Sequence, residues 1–535
     1  MLDGTLFPED ESDLLTIKQA SDWASVYVQK NVTPSNISYL IQYGKVKRIG
    51  ERGSTFVSKQ ELAAYYDSFY GERQTAWKDK LGDDLNWHLS FEHLKEADTT
   101  KHVHRLHPYK GKFIPQLAEY FLDGHKDEFK KEVFFQEGDV VLDPFSGSGT
   151  TLVQANELGL HAVGIDVSAF NAFIGNVKIK KLNLIEASTE IARISKLLKQ
   201  FLLASQTIEF DKELANKLLD FNAKYFPSPE FKRKVHLKKV DEADHARKHL
   251  PLFLPIYKQL ISEYGIKLRQ ESSANFLDRW YLQHVRTEID FVFSEIAKIK
   301  DEDVKNLASV ILSRTIRSCR ATTHADLGTL KEPITEPYYC AKHGKICKPL
   351  FSIQSRWETY SKDTVVRLTQ LDRIRTATHQ RVLTGDARVI DVLRELKHVD
   401  RGLFEIVRTQ GIKGIFSSPP YVGLIDYHEQ HAYAYDLFGF ERRDEAEIGR
   451  LFYGQGKAAR ERYVSGIAQV LNNCKTVLIE NFDVFLVAND KHNLYPSIAE
   501  LAGMHIVNTF KRPVLNRTER DKAAYSETIF HLKGK

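Results

Sequence analysis

Cysteines and long apolar runs are both scarce in this chain. Four cysteines among 535 residues argue against a disulfide scaffold and favour a reducing compartment. No uninterrupted apolar run approaches the roughly 18–20 residues that a membrane span needs. The N-terminal stretch MLDGTLFPEDESDLL is acidic and lacks the basic region and apolar core of a signal peptide. We therefore expect a cytoplasmic protein with no membrane partner.

A strong excess of either charge is also missing. The net charge of +5 is mildly basic, which permits a polyanionic partner but does not require one. The hydrophobic share of 42% and the charged share of 27% are ordinary for a globular protein. A chain of this length is expected to form about three domains.

The N-terminal region has the pattern helix, turn, helix, basic hairpin, helix. TIKQASDWASVYVQ and TPSNISYLIQYG predict two helices, with Thr16 and Thr33 as their N-caps. KVKRIGERGSTFVS predicts a hairpin that turns at residues 51–53, and Ser58 is placed to cap a third helix. This order resembles a winged helix-turn-helix module.

Such a module would contact DNA through its second helix and its hairpin. The expected groove-reading side chains are Ser35, Asn36, Ser38 and Tyr39, and the expected phosphate contacts are Lys45, Lys47, Arg48 and Arg52. The alternative is a small helical cap whose basic hairpin is merely solvated.

The segment DVVLDPFSGSGTTLVQANELGLHAVGIDVS predicts strand, glycine turn, helix and strand. Gly147 and Gly149 allow a tight turn and close approach of a ligand to the backbone. A nucleoside triphosphate is disfavoured because the Walker lysine is absent. Asp143, at the end of the first strand, would repel phosphate but attract an amine.

Asp166 ends the second strand about 20 residues further on, the usual place for a carboxylate that binds ribose hydroxyls. A ligand with an amine near the first loop and a ribose near the second matches S-adenosylmethionine. The spacing of the two acidic residues is also compatible with a dinucleotide.

A second stretch, GIFSSPPYVGLIDY at residues 414–427, ends a buried strand with a stiff turn. Pro419 and Pro420 cannot donate ladder hydrogen bonds and therefore end the strand. The turn lies at a strand's carboxyl end, where open α/β sheets place their chemistry.

DPFSGSGTT together with SSPPY resembles the amino-methylating DNA methyltransferases, which modify cytosine N4 or adenine N6. In that family the first motif binds S-adenosylmethionine and the second is the catalytic loop. HRLHPYKGKFIPQLAEYF resembles a further cofactor-contacting segment, and RVLTGDARVIDVL resembles a strand near the adenine. The resemblance implies a cofactor-binding set of His107, Lys112, Phe113, Asp143, Pro144, Phe145, Gly147, Gly149, Thr150, Asp166 and Asp386.

The catalytic loop suits methylation of an exocyclic amine, whose lone pair is delocalised into the base. The Ser418 hydroxyl and the Pro419 carbonyl can accept hydrogen bonds from the amine and direct its lone pair toward the methyl group. Pro420 stiffens the loop, and Tyr421 offers a face for stacking an extruded base. These four residues are the predicted catalytic set.

The serine in this loop favours cytosine N4, because SPP(Y/F/W) mostly accompanies that target in the family. Adenine N6 stays open, whereas C5 methylation would need a cysteine nucleophile and no Pro-Cys pair occurs. The resemblance implies duplex DNA as the substrate and a modification role beside a cognate restriction endonuclease. A non-catalytic DNA-binding regulator is the alternative of another class.

These patterns predict a Rossmann-like α/β methyltransferase sheet that is split by a long helical insertion. The expected parts are a helix-turn-helix-like module at 1–75, a cofactor-binding part at 76–190, a target-recognition insertion at 191–380 and a catalytic part at 381–535. Within the insertion, KYFPSPEFKRKVHLKKVDEADHARKH and SRTIRSCRATTH are basic and would suit contacts with DNA.

YYCAKHGKICKP brings Cys340, His343 and Cys347 close together in sequence. Zinc would need a fourth ligand, for which Cys319 or His324 is available. The spacing matches no standard zinc finger, so the sequence favours buried thiols and no metal.

Overall fold

A computed structural model describes residues 13–28, 32–50, 55–82, 84–92, 94, 96–203, 205–272, 274–324, 330–515 and 524–535. The strands are β1 (Leu14–Thr16), β2 (Phe56–Ser58), β3 (Val140–Asp143), β4 (His161–Asp166), β5 (Tyr338–Cys340), β6 (Lys345–Cys347), β7 (Gln380–Thr384), β8 (Ile412–Ser417), β9 (Leu478–Ala488), β10 (Met504–Pro513) and β11 (Ser526–Gly534).

Helices make up most of the remaining regular structure. They are α1 (Ile17–Tyr27), α2 (Pro34–Gln42), α3 (Lys59–Leu81), α4 (Glu96–Thr99), α5 (Pro115–Leu122), α6 (Thr150–Glu157), α7 (Ala169–Ile179), α8 (Leu184–Leu203), α9 (Thr207–Tyr225), α10 (Glu230–His236), α11 (Glu242–Glu263), α12 (Phe276–Trp280), α13 (Gln283–Ala297), α14 (Glu302–Ser318), α15 (Gln354–Asp372), α16 (Val392–Val399), α17 (Arg401–Gln410), α18 (Tyr427–Gln430), α19 (Ala432–Phe438), α20 (Lys457–Cys474) and α21 (Tyr495–Leu501). Short 3-10 helices span His88–Ser90, His102–Arg105, Asp444–Ala446 and Leu451–Tyr453. Among the described residues, no helix is long and apolar enough to span a bilayer.

The described residues form two compact units. The first unit draws on Met1–Asp83, Gln206–Lys267 and Ala321–Pro349, and the second on Asp84–Ser205, Leu268–Arg320 and Leu350–Lys535. The roles expected of the N-terminal module and of the insertion stay predictions.

The second unit contains a mixed sheet of seven strands in the order β10-β11-β9-β8-β3-β4-β7. Strands β9, β8, β3, β4 and β7 run parallel, whereas β11 pairs antiparallel with both β9 and β10. Strands β4 and β7 are neighbours although the helical stretch α8–α15 lies between them in sequence. The predicted α/β fold with a split sheet is therefore present, and the sheet is mixed rather than wholly parallel.

Alternating side chains of β8 enter the two hydrophobic layers that cover the sheet. Ile415 packs with Leu142 and Leu486 on one face, and Phe416 packs with Val141 and Phe485 on the other. This two-residue period is expected of a strand that is buried on both faces. The parallel strands then present their carboxyl ends, including Asp143, Asp166 and Ser417, along one edge.

The first unit begins with the predicted helices and caps. Thr16 Oγ1 accepts a hydrogen bond from Gln19 N at 3.3 Å, and Thr33 Oγ1 accepts one from Asn36 N at 3.3 Å. Ser58 Oγ likewise accepts from Glu61 N at 3.2 Å. These side chains satisfy backbone donors that a helix start leaves unpaired.

The hairpin prediction is confirmed in part. Ile49 and Phe56 form an antiparallel bridge on either side of the predicted turn, but the longer pairing of β2 is with β1. Local sequence indicates an extended segment but not which strand will supply its partner. Arg52 and its turn lie outside the described residues, and the winged helix-turn-helix assignment stays a prediction.

Candidate active site

A glycine-containing loop joins the end of β3 to the start of α6. Gly147 has φ 50° and Gly149 has φ 77°, both in the region that favours glycine. A Cβ on Gly147 would lie 2.9 Å from the ring of Tyr109, and one on Gly149 would lie 3.2 Å from Gly175 Cα in α7. The loop therefore packs closely against an aromatic ring on one side and a helix on the other.

Asp143, the last residue of β3, is buried below this loop. Its carboxylate accepts hydrogen bonds from Ser417 Oγ at 2.5 Å, from Thr151 Oγ1 at 2.6 Å and from Phe145 N at 3.2 Å. Burial raises its pKa to about 6, although all three donors oppose that shift. Asp143 thus joins the glycine loop to the end of β8.

Asp166, the last residue of β4, holds the other side of the loop. Its carboxylate accepts from Gly147 N at 2.8 Å, from Ser168 N at 2.8 Å and from Asn171 Nδ2 at 3.1 Å. Burial raises its pKa to about 7. Both carboxyls therefore titrate close to neutral pH.

The two serines of SSPPY have different surroundings. Ser417 is fully buried, and its hydroxyl donates its hydrogen bond to Asp143. Ser418 is partly buried, and its Oγ donates to Val487 O at 3.0 Å. Pro419 is buried and Pro420 partly so. The backbone turns here because neither proline can extend the ladder of β8.

Tyr421 is the last residue of the turn, and a residue of β11 holds its side chain in place. Its hydroxyl donates to Glu527 Oε1 at 2.9 Å, and its side chain is partly buried. The ring therefore has a defined position, with its polar end satisfied.

A cleft lies at this edge of the sheet, and the space within it, open solvent included, is about 800 Å³. The predicted residues that line it are Lys112, Phe113, Asp143, Pro144, Phe145, Gly147, Thr150, Asp166, Asp386, Ser418 and Pro420. The structure thus brings together the glycine loop, the upstream segment, the β7 edge and the SSPPY turn. His107, Gly149, Pro419 and Tyr421 are not among its lining residues.

His107 lies behind the cleft wall. Its Nδ1 is 3.0 Å from Pro108 O, and its Nε2 is 3.0 Å from Ser313 Oγ and 3.2 Å from Tyr433 Oη. Burial lowers its pKa well below the ordinary value, so the neutral ring donates from Nδ1 and accepts at Nε2. In this position His107 holds the HPYKGKF segment, and the expectation that it contacts the cofactor directly stays a prediction.

Two other predicted residues that line the cleft make ionic or polar contacts. Lys112 Nζ donates to His104 O at 2.5 Å, and burial lowers its pKa to about 8. Asp386 forms a two-point ion pair with Arg388, with Nε–Oδ1 and Nη2–Oδ2 distances of 2.9 and 2.6 Å.

Several lining residues were not predicted from the sequence. They include Tyr109, Asn171, Tyr427 and Glu447. Tyr109 and Tyr427 stack with ring centroids 5.6 Å apart, and Glu447 Oε1 accepts from His428 N at 2.8 Å. Tyr109 lies inside HPYKGKF, and Tyr427 ends the stretch at residues 414–427, whereas no motif contains Glu447.

Comparison with known proteins agrees with this arrangement. The model of the N6/N4 DNA methylase family matches residues 27–172. The type II methyltransferase M.MjaII of Methanocaldococcus jannaschii is 43% identical over 99% of both chains. This chain belongs to the amino-methylating DNA methyltransferase family. Shorter matches are M.MvaI of Kocuria varians, 32% identical over 19% of this chain and 21% of that protein, and M.BsoBI of Geobacillus stearothermophilus, 27% identical over 46% and 51%.

The cleft of this methyltransferase has the donor and acceptor groups that a polar, ring-containing ligand needs. Ser146 Oγ, Ser148 Oγ and Asn171 Oδ1 are buried and have no hydrogen-bond partner within the described part of the chain. Because buried polar atoms are normally paired, these three lining groups fit a bound ligand. The rings of Phe113 and Phe145 add apolar surface beside them.

The residues expected to contact DNA lie in the first unit, on α2 and just after it. Ser35, Asn36, Ser38 and Lys47 are exposed, and Tyr39 and Arg48 are partly buried. The Asn36 side-chain oxygen is already used by the helix cap, accepting from Thr33 N at 2.8 Å. The DNA-binding role of this surface stays a prediction.

Proposed function

We propose that this protein transfers a methyl group from S-adenosylmethionine to the exocyclic N4 amine of cytosine at a specific site in duplex DNA. The observation that supports this most directly is that Ser418 and Pro420 line the same cleft as Asp143 and Gly147. A catalytic turn and a cofactor loop must adjoin for direct transfer to occur.

The charged and polar groups of the cleft suit the cofactor. Bound S-adenosylmethionine would supply an electrophilic methyl group on a positively charged sulfur. Asp143, Asp166 and Glu447 line the cleft and would favour that charge and the amine of the cofactor. Ser146, Ser148 and Asn171 would satisfy its polar atoms, and Asp386 lies where the adenine end is expected.

Ser418 is suited to accept a hydrogen bond from the target amine. Its own proton is directed at Val487 O, 3.0 Å away, which leaves an oxygen lone pair for an incoming N–H. The Pro419 carbonyl would accept the second N–H. Together they would favour a tetrahedral nitrogen whose lone pair points at the methyl carbon. The N–C bond would form as the sulfur–methyl bond breaks, S-adenosylhomocysteine would leave, and the amine would lose one proton to solvent.

Tyr421 would form the stacking wall for the extruded base. An amine inside a duplex is inaccessible, so the base has to leave the helix. The hydrogen bond to Glu527 fixes the position of the tyrosine hydroxyl. Stacking on an aromatic ring is worth about 1–3 kcal/mol per base.

The choice of cytosine N4 over adenine N6 comes from Ser418, since SPPY mostly accompanies N4 in the family that the chain resembles. Similarity to type II methyltransferases supports a modification role beside a restriction endonuclease. The α2 surface and the basic segments of the insertion would supply contacts to the DNA backbone and bases.

Labelled methyl transfer tests the proposal. Duplex DNA is incubated with the protein and methyl-labelled S-adenosylmethionine, digested to nucleosides and separated by chromatography. We expect label in N4-methylcytosine. Label in N6-methyladenine would show that adenine, not cytosine, is the target base. Label in RNA alone would show that RNA, not DNA, is the substrate. DNA binding without transfer to any duplex would favour a non-catalytic regulator.

A further inference from the structure

Four metal-ligating side chains converge in the first unit, outside the cleft. The Cys2His2 cluster consists of His324, Cys340, His343 and Cys347, whose ligand atoms all lie within 4.8 Å of one another. Cys340 Sγ is 3.6 Å from His324 Nδ1, and Cys347 Sγ is 3.4 Å from His343 Nδ1. Cys319 belongs to the second unit and is not part of the cluster.

A tight hairpin positions three of these residues. Strands β5 and β6 pair antiparallel, and the turn between them is closed by hydrogen bonds from His343 N and Gly344 N to Cys340 O, at 3.1 and 2.7 Å. Gly344 has φ 62°, and a Cβ there would collide with the side chain of Lys232. The turn therefore brings Cys340 and His343 to one side, facing Cys347.

Two of the six separations between the ligand atoms match tetrahedral coordination. Zinc–sulfur bonds of about 2.3 Å and zinc–nitrogen bonds of about 2.0–2.1 Å place neighbouring ligand atoms about 3.3–3.8 Å apart. The observed 3.6 and 3.4 Å sulfur–nitrogen distances fall in this range. Two thiolates with two imidazoles form a donor set that suits zinc rather than magnesium or calcium.

We propose that the Cys2His2 cluster binds one Zn²⁺ through all four side chains. Four protein ligands close the coordination sphere, so the ion is structural and has no position for substrate. Two thiolates and two neutral imidazoles balance its charge. The Tyr338 hydroxyl, 2.8 Å from His324 Nδ1, would move aside to free that nitrogen for the ion.

The metal would stabilise a hairpin that is already attached to the helices of its unit. Asn222 in α9 bonds both the N–H and the carbonyl of Ile346, each at 2.9 Å, and Lys232 Nζ donates to Ala341 O at 2.7 Å. The ion would add a covalent-like link from this hairpin to residue 324. The alternative, two buried thiols without a metal, does not explain why two imidazoles lie beside them.

Metal analysis of the full-length protein, purified without chelators, tests this proposal. We expect about one zinc per chain. Replacing zinc with cobalt should give the visible bands of a tetrahedral site and thiolate charge-transfer absorption. This measurement needs no variant, so it remains decisive if a ligand variant fails to fold. A metal-free folded protein, octahedral cobalt spectra or a Cys340–Cys347 disulfide would overturn the proposal.

Ligand variants locate the site. Cys347→Ala and His324→Ala should weaken zinc affinity about tenfold or more and reduce the unfolding temperature. Cys319→Ala and Cys474→Ala remove buried thiols outside the cluster and should retain full zinc. Zinc that persists in Cys347→Ala, or that is lost only in Cys319→Ala, would refute the assignment.

Discussion

Ser417 at the end of β8 donates a hydrogen bond to Asp143 at the end of β3, with an Oγ–Oδ1 distance of 2.5 Å across 274 residues of sequence. The two strands are parallel neighbours, so this bond joins the carboxyl ends that precede the glycine loop and the SSPPY turn. The position of Ser418 relative to the cofactor loop therefore depends on Asp143 as well as on the prolines.

Ser418→Ala should lower the rate of methyl transfer while S-adenosylmethionine still binds. Loss of one preorganised hydrogen-bonding group at a reacting centre reduces kcat by about 100-fold. Single-turnover transfer and calorimetric cofactor titration separate the two effects. Full activity in Ser418→Ala would contradict the role given to this hydroxyl.

Ser417→Ala is the matched control one residue away. It removes a buried hydroxyl that contacts Asp143 rather than the cleft, so we expect weaker cofactor binding and lower stability. A buried acceptor that loses its donor costs about 1–3 kcal/mol. Equal kinetic defects in the two variants, with equal cofactor affinity, would show that the serines do not have separate roles.

Cofactor binding should weaken as the pH falls. Burial raises the pKa of Asp143 to about 6 and that of Asp166 to about 7. Both are ionised at pH 8, and both gain a proton between pH 8 and pH 5, so their attraction for a positive ligand is lost on acidification. We expect the Kd of S-adenosylmethionine to rise about tenfold over this interval.

Two comparisons identify the carboxyls as the cause. S-adenosylhomocysteine lacks the sulfonium charge and should show a smaller rise in Kd. Asp143→Asn removes one titrating group and should flatten the profile while raising the Kd at pH 8. A pH-independent Kd in the wild-type protein would contradict this electrostatic description.

Tyr421→Phe and Tyr421→Ala separate the ring from its hydroxyl. Phenylalanine keeps the stacking face and loses the bond to Glu527, so activity should fall only a few-fold. Alanine removes the face, and the KM for duplex DNA should rise by about 10-fold or more. DNA with a mismatched target base, which is easier to extrude, should partly rescue Tyr421→Ala. Similar defects in both variants would instead point to the hydroxyl.

Lys47→Ala should weaken DNA binding without affecting cofactor binding. Lys47 is exposed after α2, and a lost phosphate contact lowers the salt dependence of binding by about one unit of log–log slope. Fluorescence anisotropy across a salt series measures this slope. Lys18→Ala, an exposed lysine on α1, is the control and should leave the slope unchanged.

The parts of the site that were predictable from sequence are those whose residues lie close together along the chain. Asp143, Gly147 and Asp166 were found because a strand, a turn and a helix follow one another directly. Tyr427 and Glu447 were missed because their place in the cleft depends on packing after the chain has returned from its insertion.

A sequence pattern also indicates whether a segment is a helix or a strand better than it indicates which other segment it will pack or pair with. The sequence predicted an extended stretch near β2, but the pairing with β1 depends on tertiary packing. The His107 side chain matched a motif, yet its environment of Ser313 and Tyr433 comes from distant segments. The sequence brought Cys340, His343 and Cys347 together but left Cys319 and His324 as alternative fourth ligands, and the structure places His324 beside them.

A crystal structure of the full chain with S-adenosylhomocysteine tests the central claim most directly. We predict the amino-acid end beside Asp143 and Gly147, the adenine near Asp386 and the sulfur facing Ser418. A ligand bound away from the glycine loop, or one whose sulfur is separated from Ser418 by protein, would contradict the account.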